Sequence, residues 1–180
     1  HQLLQEYFAA RTLSREPRPA LVARPWRTAD IRPSVRELLD TLPASELLPA
    51  LPQTGWEETS VLAAAMAHEP DAFIRGLMET NLALAGRAAA QPYVRDRLDA
   101  DFLDALRWAL VARSRDREAD LRDRIDAGLA LGNLGDPRFE RRTGPHGAYL
   151  LPPMVEIPGG SYPIGSDEPY YWPHAGQWDH

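Results

Sequence analysis

Apolar residues recur at spacings of three and four through most of the chain as far as Arg138, the period of helices that each bury one face. Residues 1–13 read as a helix already under way at His1, with no cap or turn ahead of it. Residues 14–33 hold four prolines and several arginines, a composition that breaks helices and predicts an irregular wrap anchored by Trp26. Pro33 is placed as the first residue of a short helix over 35–40, and Pro43, Pro49 and Pro52 keep the following segments short. Trp56 opens a longer helix carrying Val61, Leu62, Ala65 and Met66 that stops near Pro70. The next helix starts at Asp71, a candidate N-cap, and runs as one element through Phe73, Ile74, Leu77, Met78 and Leu82 to Ala85. Pro92 begins a short helix, residues 101–113 align Phe102, Leu106 and Leu110 on one stripe, and residues 118–134 turn Leu121, Ile125, Leu129 and Leu131 inward.

The last of these helices closes with Ala127, Gly128, Ala130 and Gly132, small residues that permit close helix approach. Gly135 suits a positive-φ cap, and Asp136-Pro137 enforces the stop. The stretch 124–138 resembles the second helix and turn of a HEAT-type repeat. Asn81-Leu82-Ala83-Leu84-Ala85-Gly86-Arg87 echoes it about 46 positions upstream, compatible with the ~40–47 residues of such units. The expected fold is mainly α, with a HEAT-like helical repeat bundle over 56–138.

Beyond Arg138 the pattern changes. Residues 139–153, with Gly144, Pro145 and Gly147, read as a linker. Met154-Val155-Glu156-Ile157, a Pro158-Gly159-Gly160 turn and Tyr162-Pro163-Ile164-Gly165-Ser166 then write a β-hairpin. This resembles the opening hairpin of the formylglycine-generating-enzyme/sulfatase-modifying-factor family, which implies the incomplete start of a C-type-lectin-like domain over 154–180. At the other end, His1, Gln5, Glu6, Tyr7, Ala9 and Ala10 fall in register with a His-x-x-x-Gln-Glu-Tyr/Phe-x-Ala-Ala signature. It resembles the close of the winged-helix part of NACHT-type signalling ATPases of the STAND class, and so assigns 1–13 to a winged-helix end. The resemblance gives His1 a cofactor-binding role, an imidazole contact to the phosphates of bound ADP that favours the resting state.

Taken in order, the resemblances imply a fragment of a bacterial STAND signalling ATPase. Residues 14–55 form a Pro-rich connection with short helices, 56–138 the helical region, and the lectin-like portion a C-terminal sensor of a protein or peptide ligand. ADP or ATP and Mg²⁺ belong to the ATPase portion of the parent, and the implied role is coupling of ligand recognition to nucleotide-controlled homo-oligomerisation in bacterial immunity. The alternatives are a scaffold for a formylglycine-generating-enzyme-like oxidase and a HEAT-like protein-binding module.

Composition narrows the chemistry. All twenty basic residues are arginine and cysteine is absent, so the stretch holds no phosphate-loop lysine, Schiff-base lysine, disulfide or thiol nucleophile. No catalytic residue and no metal site is assigned within it. A net charge of −6 argues against nucleic acid as a partner, and no apolar run reaches the length of a membrane span. A cytoplasmic location is the expectation. The aromatic tail 170–180 offers His174, Asp179 and His180 as ligand types, but no regular element fixes their geometry. The run 113–124 alternates sign densely and reads as a solvated, salt-bridged helix face. Trp56 and Trp108 read as packing anchors.

Overall fold

The computed structural model describes residues 2–43 and 45–162. The fold is mainly helical with one small antiparallel hairpin. In chain order the helices are α1 (Gln2–Leu13), α2 (Val35–Leu39), α3 (Glu57–Met66), α4 (Pro70–Thr80), α5 (Leu82–Ala89), α6 (Pro92–Arg95), α7 (Ala100–Arg115) and α8 (Leu121–Leu134). Strands β1 (Glu140–Gly144) and β2 (Gly147–Leu151) follow. Two 3₁₀ turns, Pro19–Val22 and Thr28–Asp30, punctuate the proline-rich segment.

The longer helices form a row in which α1 packs on α3, α3 on α5 and α5 on α8. Helix α4 lies against α5 and the first 3₁₀ turn, and α7 lies against α5 and α8. One core runs through the row. Ala10 and Leu13 of α1, Val22, Ala63, Ala64, Ile74, Leu77, Ala85, Leu106, Leu110, Ala127 and Leu131 are all buried in it. Phe102, Leu106 and Leu110 are inward as the spacing of α7 requires.

Expectation and structure part at identifiable places. The helix expected over 71–85 is two helices, because Asn81 leaves helical geometry at φ −155° and ψ 86°. Its Oδ1 accepts the Leu84 N–H at 3.1 Å and caps α5, while its Nδ2 donates to the Val22 carbonyl at 3.2 Å. This buried amide both turns the chain and ties the proline-rich segment to the helices. Asp71 falls inside α4 rather than capping it, and accepts the Asp99 N–H. Helix α2 begins one residue beyond Ser34, not at Pro33: Ser34 and Glu37 form a reciprocal capping box. The pairs α4/α5 and α7/α8 pack side by side, yet the caps of α5 and α8, Asn81 and Asp120, are 39 positions apart. That spacing is about two helical turns short of the sequence echo.

Helix α8 departs most from its reading. Leu131 is buried, but Leu121, Ile125 and Leu129 are exposed on the side opposite Ala127, Ala130 and Leu134. Both sides of α8 are apolar, so periodicity alone selects the wrong one. Trp56 and Trp108 are likewise largely outside the core, 39% and 53% exposed.

The paired strands fall inside the segment read as a linker. Glu140 pairs with Leu151 and Gly144 with Gly147, closing a two-residue connection of Pro145 and His146. Gly147 takes φ +111°, which only glycine adopts freely. Residues 152–158 carry no strand, and Met154, Val155 and Ile157 are exposed. Tyr162, where the second arm of the expected hairpin begins, carries no strand either, and the rest of that arm lies outside the described residues, as does the aromatic tail. No helix among the described residues is long and apolar enough to cross a membrane.

Candidate functional site

The densest chemistry lies where the proline-rich segment crosses the turn between α7 and α8. Backbone contacts fix the crossing: Asp120 N–H donates to the Trp26 carbonyl at 2.8 Å and Thr28 N–H to the Glu118 carbonyl at 2.9 Å, around an isolated bridge of Arg27 with Ala119. The indole of Trp26 lies under the Arg113 guanidinium at 3.8 Å, with Arg27 4.9 Å from the same ring. Trp26 is thus the anchor that the sequence predicts.

Two ion-pair groups sit at this crossing. Asp123 bridges two cations, Arg24 at 3.0 Å and Arg113 at 2.8 Å, and Arg24 reaches Asp126 at 2.8 Å. Asp120 caps α8 by accepting the Arg122 N–H and also receives the Arg122 guanidinium at 2.9 and 3.0 Å. Arg122 continues to the Pro33 carbonyl at 2.9 Å, so one buried arginine ties α8 to the segment before α2. Asp120, Arg122 and Asp123 are buried, not spread over a solvated face as the alternation of charge in 113–124 suggests. The turn brings acids and bases together beneath the strap, where each loses water only because it gains a partner.

The Arg122 side-chain hydrogen bonds hold the Asp120 carboxyl below the ordinary aspartate range, against the opposing effect of burial. A lowered folded-state value contributes stability that is complete above the unfolded aspartate value and disappears as pH falls through the folded one. Unfolding free energy measured from pH 7 down to pH 3 will therefore fall steeply below about pH 4. The fall will be shallower in Asp120→Asn. An equally steep loss in that variant would remove Asp120 from the acid response.

Beside Arg24 opens a groove of about 310 Å³ between α5, α8 and the chain entering α3. Its walls carry Arg24, Arg87, Glu57, Asp126, Gln53 and Asn133 over Leu84 and Ala130. Glu57 is committed elsewhere, accepting the N–H groups of Thr54 at 2.7 Å and Gly55 at 2.9 Å. Burial works against its charge, but these backbone bonds outweigh it and hold the carboxyl low. Arg87 pairs with Glu58 at 2.9 Å. Nε of Arg24 and Nη2 of Arg87 are buried without a hydrogen-bond partner among the described residues. The groove is electrically mixed, suited to a polar surface with acceptors rather than to a polyanion.

A second groove, of about 620 Å³, lies between the end of α1 and the α3–α4 turn, with Arg11, Arg15, His68 and Glu69 around Met66 and Phe73. Among the described residues no group of three or more metal-ligating side chains converges. His1, the one site residue expected from the sequence, lies outside the described residues. Sequence reasoning missed Arg24, Asp123, Asp126, Glu57 and Arg87. The Asx cap ahead of the α8 period was the available signal for Asp120, whereas the arginines of the strap carry no local mark of their partners. Compared with protein-family models, curated proteins and solved structures, the chain matches none.

Proposed function

We propose that this chain is a non-catalytic coupling segment of a STAND (NACHT) signalling ATPase, linking ligand recognition on its C-terminal side to nucleotide-controlled oligomerisation on its N-terminal side. In this reading residues 1–13 close the winged helix, 56–138 form a HEAT-like helical region, and 154–180 begin a formylglycine-generating-enzyme-like sensor. The ligand is a protein or peptide, ADP or ATP with Mg²⁺ is held by the ATPase portion, and the setting is cytoplasmic bacterial defence.

The observation that supports coupling is the strap. Residues 24–33 are fixed to α8 by Arg24–Asp123, by the Asp120 contact to Trp26 and by Arg122 to Pro33, while Asn81 holds Val22 to α5. A displacement of α8 therefore acts on the segment that leads back to α1, through ion pairs rather than through deformable loop. The parent's ADP retention tests the reading. Wild type will retain ADP, and His1→Ala will release it faster because the imidazole contact to phosphate is lost. A parent that binds no adenine nucleotide would remove the signalling-ATPase reading altogether.

A further inference from the structure

The two grooves differ in how their charges are satisfied. In the smaller one Arg24, Arg87, Glu57 and Asp126 each have a partner of opposite charge or a set of backbone N–H groups. The larger one, of about 620 Å³, leaves its cations open. Arg11 lies in the last turn of α1, and Arg15 follows in the turn that continues it, where the Arg15 and Glu16 N–H groups donate to the Thr12 carbonyl. Both arginines line the groove and both are exposed. Neither guanidinium pairs with an acid or donates a hydrogen bond among the described residues. Glu69 is the one acid on the lining, and it is paired with neither.

The facing wall is apolar and held in place. Met66 ends α3 and Ala67 caps it, while Ala72 and Phe73 lie in the first turn of α4. The turn between the two helices is fixed by Arg97, which donates to the carbonyls of Ala67 at 2.6 Å and His68 at 3.1 Å. Asp71 adds a second tie by accepting the Asp99 N–H at 3.1 Å. Ala67 and Phe73 are buried and Met66 is half-buried, so the wall has a firm base with an adaptable thioether at its surface.

We propose that this groove binds an extended segment of a partner protein with the pattern acid, apolar, acid. In an extended chain, side chains two positions apart leave on the same side, about 6–7 Å from each other, and the one between them leaves on the opposite side. Positions one helical turn apart are about 5–6 Å apart at Cβ, so each carboxylate meets one guanidinium. The middle side chain then faces Met66 and Phe73 across the groove. A phosphate backbone fits less well, because Glu69 repels a polyanion and the apolar wall offers it no partner. The net charge of −6 opposes an acidic partner at long range, so recognition rests on these short contacts. The site is separate from the C-terminal sensor proposed above and does not depend on it.

Amide chemical shifts of the isotope-labelled 180-residue chain, titrated at low salt with acetyl-Glu-Leu-Glu-amide, test it. The Ala67, His68, Ala72 and Phe73 amides will shift together and saturate in about the millimolar range. Acetyl-Gln-Leu-Gln-amide will bind about tenfold more weakly, and acetyl-Glu-Ala-Glu-amide about threefold more weakly. The double variant Arg11→Gln, Arg15→Gln, changed only at exposed positions, will keep its melting temperature and lose about tenfold in affinity. Ala72→Glu, also exposed, will weaken binding by setting a like charge against the peptide. The proposal is overturned by shifts that miss the groove, by equal binding of the glutamine or alanine peptide, or by unchanged binding to the double variant. It is overturned equally by inorganic phosphate giving the same shifts at the same concentration, which would mean a simple anion site.

Discussion

Replacing Asp123 with alanine will reduce folding stability by about 3–5 kcal/mol, because it removes the buried carboxylate that two largely buried guanidiniums share and leaves Arg113 without an anionic partner among the described residues. The Asp123 side chain is 5% exposed, and it neutralises Arg24 and Arg113, themselves only 13% and 17% exposed. Arg24 keeps Asp126 as a partner, but Arg113 keeps only the face of Trp26. Removing the carboxylate thus leaves one cation poorly compensated and the other over an aromatic ring, which is worth less than a paired oxygen in the same place. Asp126→Ala is the control, since that side chain is one-third exposed and solvent replaces part of what it supplies. Urea unfolding of both variants separates the effects. Equal losses at the two positions would mean that Asp123 acts as an ordinary surface charge and that the strap is not clamped at this point.

The consequence reaches beyond local stability. With Asp123 gone, the strap retains its backbone contacts at Trp26 and Thr28 and the partly exposed Arg24–Asp126 pair, but loses the buried tie between Arg24 and the first turn of α8. Opening of the strap then separates from unfolding of the row, and hydrogen exchange at the Asp120 and Thr28 amides will accelerate more than exchange in α3.

What the sequence discloses and what it hides follow from the range of the forces involved. Helix α7 is legible because Phe102, Leu106 and Leu110 mark one face at close spacing, although its Asp99 cap, two residues before the expected start, is not part of that reading. Trp26 is legible as an anchor because a large aromatic in a proline-rich stretch has few other ways to be buried. Asn81 is hidden because the apolar period runs through it unbroken, and the reason to break there is the Val22 carbonyl 59 positions away. The α8 stripe misleads because both sides are apolar, and only the positions of α5 and α7 decide between them. The partners of Arg24 lie 99 and 102 positions along the chain, so no local pattern could have placed it at the site. The β1–β2 hairpin was marked by Gly144 and Gly147 around a Pro-His turn, but its strands alternate too weakly to stand out from a linker.

The packing of α5 against α7 and α8 makes a prediction in which two damaging changes partly cancel. Leu110→Ala alone removes a fully buried side chain and will cost about 2–5 kcal/mol. Gly86→Ala alone places a methyl group 2.8 Å from Leu110 Cδ1 and 3.0 Å from the Ala130 Cβ, tighter than carbon atoms tolerate. Its overpacking cost of about 1–3 kcal/mol is offset by up to ~1 kcal/mol of helix propensity, leaving a smaller net loss. In the double variant the new methyl group enters space that Leu110 has vacated, so the clash with Cδ1 is gone and part of the cavity is filled. The Ala130 contact persists, which keeps the rescue incomplete. The double variant will therefore be more stable than the sum of the single losses predicts, by about 0.5–3 kcal/mol. Urea unfolding of the four proteins in the cycle measures this directly. Additive losses would mean that α5 moves away from α7 to accept the methyl group, and that Gly86 does not set how closely the two helix pairs pack.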